Sequence, residues 1–250
     1  MAQANVERPR ISVCLATFNG ERYLREQIES VLAQLVESDE LIVNEDGSTD
    51  STLEILRSYQ DPRIKILPLV PQLGPMRAFE RAISHTTGEI IFLCDQDDVW
   101  LPGKVDVSLE ILRDPAVLAV VSDAYVIDAQ GKILIESYRL WRGSREGFWR
   151  NWLKNGFLGC CMAFRSTTKH LLLPFPANIN MHDEWIGLCC ATAGIVRFTS
   201  KKLILYRRHD ENTTAMRHLS VSHMIKKRIV FLVSIAIRLP ALLRSGARAK

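Results

Sequence analysis

The chain lacks most of the features that would take it out of the ordinary globular class. Six cysteines are spread over 250 residues, and none has the Cys-x-x-Cys spacing of a zinc or redox site. Cys14 and Cys94 fall inside predicted strands, while Cys160-Cys161 and Cys189-Cys190 are adjacent pairs, so buried free thiols are expected. There is no low-complexity tract and no internal repeat. Residues 1–10 are polar, without the apolar stretch of a signal peptide, which predicts a cytoplasmic protein. The apolar run Ile229–Ile237 has nine residues, well short of the ~20 of a membrane span. Acidic residues are missing from Asn212 to Lys250, where eight basic residues stand. Residues 1–211 therefore hold 24 basic against 28 acidic groups, and the whole net charge of +4 arises in the tail. A basic tail on an acidic body excludes a basic nucleic-acid-binding body and points to an anionic surface.

Apolar patterning is strong in the first hundred residues. Runs at 11–16, 41–44, 64–67 and 89–94 read as strands, and 117–122, 157–164 and 203–206 as further ones. Between them, Leu24, Ile28, Val31, Leu32 and Leu35 recur at helical spacing, as do Phe79, Ala82 and Ile83. Ser51 and Glu54 are placed as a capping box before a second helix. A short helix is expected over 186–193, opened by His182-Asp183-Glu184-Trp185. Strands alternating with helices predict βαβ units and an α/β fold with a mainly parallel central sheet flanked by helices. Such sheets bind ligands outside the carboxyl ends of their strands. Three polar strand ends occur here: Thr17–Asn19, Glu45–Ser48 and Asp95–Asp98.

The last of these carries the chemistry. Asp95-Gln96-Asp97-Asp98 follows directly on a buried strand. Three Asp in four residues on a rigid element suit one hard divalent cation held against a diphosphate; the alternative is a solvated acidic turn. Asp183 reads either as a general base or as a helix N-cap. The segment 139–156 mixes Trp141, Trp149 and Trp152 with five basic residues. It suits a membrane, a sugar acceptor or the core, with at least one Trp expected inside. Ile229–Ile237 with its basic flanks reads as an interfacial amphipathic helix or as a helix packed on the body.

The stretches ISVCLATFNGERYLREQIESVLAQ, IVNEDGSTDSTLEIL and GEIIFLCDQDDVWLPGKV resemble family 2 glycosyltransferases. The resemblance runs on through Gly159–Phe164, MHDEW and LILYRRHDENT, covering about residues 10–215. It implies the nucleotide-sugar-binding fold called GT-A, with a catalytic domain over 1–215 and a basic amphipathic tail over 216–250. Residues 10–105 would bind the donor and 106–215 the acceptor. Carried over, it implies nucleotide-sugar contacts from Thr17, Asn19, Glu45, Asp46, Arg77, Asp95 and Asp97. It also implies a Mg²⁺ or Mn²⁺ site from Asp97, Asp98 and His209, and a catalytic base at Asp183. Asp-Gln-Asp-Asp-Val-Trp together with His-Asp-x-Trp is most similar to bacterial rhamnosyltransferases of surface polysaccharide assembly. That implies a dTDP- or UDP-sugar donor, a lipid-linked glycan acceptor and attachment to the inner membrane face through the tail. Two departures stand out: Glu45 replaces the usual Asp, and 209–212 read His-Asp-Glu-Asn where His-Gly-Asn-Asn is common. A nucleotidyltransferase is the rival enzyme, and it lacks a Gly-rich, Lys-containing phosphate loop. A non-catalytic nucleotide- or glycan-binding protein is the other rival.

Overall fold

The computed structural model describes residues 8–179, 181–209 and 228–238. Asp210, Glu211 and Asn212, the tail residues Lys226 and Lys227 and Pro240 lie outside them. The strands are β1 (Ile11–Thr17), β2 (Glu40–Glu45), β3 (Ile64–Ile66), β4 (Ile90–Asp95), β5 (Val99–Trp100), β6 (Val117–Ile127), β7 (Ile133–Ile135), β8 (Met162–Arg165) and β9 (Ile195–Arg207). The helices are α1 (Leu24–Leu32), α2 (Thr52–Ser58), α3 (Pro75–Ser84), α4 (Lys104–Ile111), α5 (Tyr138–Arg142), α6 (Phe148–Leu153), α7 (Lys169–Leu172), α8 (His182–Ala193) and α9 (228–238).

All form one sheet in the order β3-β2-β1-β4-β8-β6-β9-β5, with β7 beside β6. β1 to β4 pair in parallel, as the alternating pattern predicts. The second half departs from the mainly parallel expectation. β8 runs antiparallel to both β4 and β6, β5 antiparallel to β9, and β7 antiparallel to β6, so the sheet is mixed. β1 lies between β2 and β4, and the chain switches sides of the sheet there. The register pairs Thr17 with Glu45 and Ala16 with Asp95, so the three polar strand ends fall on one edge.

Several local expectations are corrected. The 157–164 run is a 3₁₀ turn over Gly159–Cys161 followed by β8. The Ser51–Glu54 capping box does not form: Asp50 Oδ1 accepts from Thr52 N at 3.0 Å and Glu21 Oε2 from Ser51 N at 2.9 Å, which satisfies the helix start from outside. Of the three tryptophans in 139–156, Trp152 is half-buried, while Trp141 and Trp149 are exposed. All six cysteines are free and buried.

Strand β4 is buried on both faces from Ile90 to Cys94, which is why it reads as an unbroken apolar run. Helix α8 packs against β6 and β9, with Trp185 fully buried and its indole donating to Leu172 O at 3.0 Å. Gly187 on α8 meets the Phe157 ring so closely that an added Cβ would lie 2.6 Å from its carbons. We expect Gly187→Ala to cost about 1–3 kcal/mol through overpacking. A thermal melt would check this, and an unchanged midpoint would mean that Phe157 moves aside freely.

Candidate active site

Side-chain to backbone hydrogen bonds stitch the three strand-end loops together. Gln96 Oε1 accepts from Phe18 N at 2.8 Å and Gln96 Nε2 donates to Phe18 O at 2.9 Å. Asn19 takes a left-handed backbone (φ 48°), which Asn tolerates better than most residues. Its Oδ1 accepts from Thr49 N at 2.8 Å, while its N donates to Ser48 Oγ at 3.0 Å. Glu45 folds onto its own turn, accepting from Gly47 N and Ser48 N. Asp46 accepts from Leu73 N and Gly74 N, both at 2.8 Å, and so anchors the loop before α3. Thr17 ends β1 with its Oγ1 buried and without a hydrogen-bond partner. Arg77 sits on α3, paired with Glu80 and donating to Phe175 O at 2.9 Å.

The Asp cluster is gripped from β9. Arg207 N donates to Asp98 Oδ1, and Arg207 Nε donates to Asp97 O, both at 2.9 Å. The Arg207 guanidinium also pairs with Glu26 at 2.6 Å and lies 4.5 Å from the Tyr23 ring centre. His209 Nε2 meets Asp97 Oδ2 at 2.8 Å, so these two expected metal residues bond to each other. Asp95, Asp98 and Cys160 also come together, their ligand atoms all lying within 4.8 Å of one another. Asp98 is fully buried, and its Oδ2 has no N–H or O–H donor. Burial, with Asp97 and Asp95, pushes the Asp98 carboxyl well above the usual range. Burial, then the Asp97 and Asp183 charges, push Asp95 up to about 7. A half-buried and a fully buried carboxylate that resist ionisation, the second with an orphaned oxygen, form a site that a hard divalent ion such as Mg²⁺ or Mn²⁺ fits. The Cys160 thiol is pushed well above its ordinary value by burial and by its neighbours, which keeps it a protonated donor beside Asp98. Lys104, fully buried and below its usual value through burial, donates to Cys160 O at 2.9 Å and backs this floor.

Asp183 comes to the same place along the chain from Cys160. An ideal Cβ on the adjacent Gly159 would lie 2.8 Å from His182 Nε2 and 3.7 Å from Asp183 Cβ. Neighbouring Cα atoms are ~3.8 Å apart, so a single residue step bridges the Asp cluster and Asp183. Asp183 is buried and stands in the first turn of α8, with Met181 at the cap position. Its Oδ1 accepts from Glu184 N at 2.6 Å, so it is not the N-cap. His182 stacks on Phe79 with ring centres 4.0 Å apart, and burial lowers its pKa to about 4, which keeps it neutral.

Arg207, Gln96, Cys160 and Lys104 escape sequence reading. Arg207 and Gln96 carry a weak signal, being polar residues at strand ends. Cys160 and Lys104 carry none, because their roles depend on contacts between remote segments.

An α/β sheet with carboxylates at its switch point, covered by a mixed half bearing another carboxylate, defines the GT-A-like class of fold. The family model for "Glycosyl transferase family 2" matches residues 12–171. An uncharacterized glycosyltransferase of Nostoc sp. is 28% identical over 81% of this chain and 66% of its own length. A putative teichuronic acid biosynthesis glycosyltransferase of Bacillus subtilis is 28% identical over 72% of each chain. Among solved structures, S. aureus TarS 1–349 in complex with UDP-GlcNAc superposes with a TM-score of 0.71 at 17% identity, over 92% of this chain and 69% of that one. Mannosyltransferase PcManGT from Pyrobaculum calidifontis, in complex with GDP-Man and Mn²⁺, gives 0.64 at 18% identity over 98% and 77%. The chain belongs to glycosyl transferase family 2, and its fold is GT-A-like.

Proposed function

We propose that this protein moves a sugar from a nucleoside-diphosphate donor to a hydroxyl of a growing, lipid-linked glycan, with inversion at the anomeric carbon. The observation that carries the reading is the meeting of Asp95 and Asp98 with Asp183 across the Gly159–Cys160 step. Thr17 and the loop anchored by Asp46 lie along the same sheet edge and suit the nucleotide. Asp95 and Asp98 would hold Mg²⁺ or Mn²⁺, with Asp97 and His209 alongside. When bound, such an ion offsets the charge that grows on the departing diphosphate. Asp183 takes the proton of the acceptor hydroxyl. The hydroxyl oxygen then bonds to the anomeric carbon as the bond to the diphosphate breaks, and nucleoside diphosphate leaves.

The pairing of Asp95–Trp100 with His182–Trp185 supports dTDP-rhamnose as donor. Calorimetric titration with dTDP, UDP and GDP, each with Mn²⁺ and with EDTA, tests nucleotide and metal together. Metal-dependent binding of dTDP supports the proposal; metal-dependent binding of UDP or GDP instead overturns the rhamnose donor, and equal binding in EDTA overturns the metal. Released pyrophosphate in place of nucleoside diphosphate would mark a nucleotidyltransferase. Asp98→Asn keeps an acceptor for Arg207 N but loses the charge. We expect it to weaken Mn²⁺-dependent nucleotide binding at least ~10-fold, by analogy with the loss of groups that support metal ligands. Unchanged affinity would move the ligand role to Asp95 or Asp97.

A further inference from the structure

Basic residues are concentrated in two segments of the sequence. Residues 138–156 hold five basic residues and one acidic, and 212–250 hold eight basic and none acidic. The remaining residues carry 19 basic against 27 acidic groups, so a strongly negative body bears two strongly positive segments. The described helices of these segments are neighbours. Trp152 of α6 donates its indole N–H to Arg228 O of α9 at 3.0 Å. Both helices also cover α8: α6 lies against it, while α9 buries Phe231 near Trp185 (ring centres 6.4 Å apart) and pairs Arg228 with Glu184. Arg238 ties the far end of α9 to Leu173 O and Pro174 O.

Packing uses only one face of each helix. On the outer face of α9, Ile229, Val233 and Ile237 are 55%, 53% and 71% exposed, at the i, i+4, i+8 spacing of one stripe. On α6, Trp149 and Leu153 are 65% and 66% exposed. Arg150 and Lys154 are exposed beside them, and neither has a carboxylate partner among the described residues. Large apolar side chains gathered under a net positive charge are the composition of a surface that rests on an anionic bilayer.

We infer that α6 and α9 together form one docking face for an anionic lipid bilayer, with Trp149, Leu153, Ile229, Val233 and Ile237 entering the headgroup boundary. The inference stands apart from the donor and the metal. It deepens the proposed reaction in one respect, because α5, just ahead of α6, carries Tyr138 within the electrostatic reach of Asp183. The lipid surface would then border the acceptor side of the site, where a lipid-linked glycan arrives.

The test is flotation of the full chain with phosphatidylcholine vesicles, with and without roughly one third phosphatidylglycerol. Binding is expected only with the anionic lipid, and added salt should weaken it. The variants Trp149→Ser/Leu153→Ser and Val233→Ser/Ile237→Ser should each lower partitioning by about tenfold or more. Ile133→Ser/Leu134→Ser, exposed and apolar but on β7, should leave partitioning unchanged. All these sites are exposed, and a thermal melt verifies that the variants fold. Absent binding, binding equal on neutral vesicles, or binding indifferent to both helix variants would overturn the inference. So would light scattering that shows these faces joining two copies without any vesicle binding. Nucleotide titration of the same variants reads the donor site separately, so failure of one reading is distinguishable from failure of the other.

Discussion

Asp183→Asn should lower sugar transfer by ~10²–10⁴-fold, the usual contribution of a positioned general base, while nucleotide binding stays at the wild-type value. The substitution is conservative in structure. Asn keeps an oxygen for Glu184 N, which Asp183 Oδ1 now accepts at 2.6 Å, and the cap position of α8 belongs to Met181. The cluster that would hold the diphosphate lies at the end of β4 and in the turn after it, and is left intact. The loss should therefore fall on kcat, with little change in donor KM, since removing the base affects the transition state and not the ground state. Glu184 is the rival base one residue on, but it is fully buried and paired with Arg228. Wild-type turnover in Asp183→Asn would refute the assignment. Equal loss of turnover and donor affinity would make Asp183 part of the donor site instead.

The second large effect is on stability, at the other edge of the sheet. The Glu40 carboxylate is fully buried, yet its pKa is lowered from 4.5 to about 2. Burial alone would raise it, and the hydrogen bonds of Lys65, Ser12 and Thr87 outweigh burial. Ser12 Oγ and Lys65 Nζ donate at 2.6 Å, Thr87 N at 2.7 Å and Thr87 Oγ1 at 2.8 Å, so one carboxylate joins β1, β2, β3 and the approach to β4. A lowered folded-state value stabilises the fold above the unfolded value near 4.5, and that stability is lost as pH falls from there to about 2. The shift corresponds to about 3 kcal/mol. Glu40→Gln should therefore lower stability by about 3 kcal/mol at neutral pH, and its deficit against wild type should shrink as the pH is taken from 4.5 to about 2. Urea unfolding at a series of pH values reads both. A deficit independent of pH would mean that shape, not charge, is what Glu40 contributes.

The donor half of this fold is legible in the sequence because its signals are local. Ile11–Thr17 and Ile90–Asp95 are apolar runs ended by polar residues, and parallel strands must bring those ends to one edge. The acceptor half resists reading because its order is set by distant pairings. β9 joins β6 in parallel across about seventy residues, and β8 reverses the strand direction between β4 and β6, which no local period encodes. The site divides in the same way. Asp95, Asp98 and Asp183 stand out as carboxylates at element ends. That Asp98 faces Cys160, and that Asp97 faces His209, is fixed by the tertiary fold alone. The nine-residue apolar run near the C-terminus left two readings open. Phe231 and Ile235 face the core while Val233 and Ile237 face out, so the helix packs on the body and still presents an apolar face outward.

The Glu40 network and the Asp cluster sit at opposite ends of the parallel strands: Glu40 is level with Ile91 of β4, four residues short of Asp95, or about 13 Å along the strand at ~3.3 Å each. Substitutions that far apart combine additively as a rule. This sheet thus has a structural rim and a chemical rim that evolve on separate accounts. Donor preference can drift at one end under a stability fixed at the other, and a laboratory lineage seeking a new sugar has a place to add robustness without touching the chemistry.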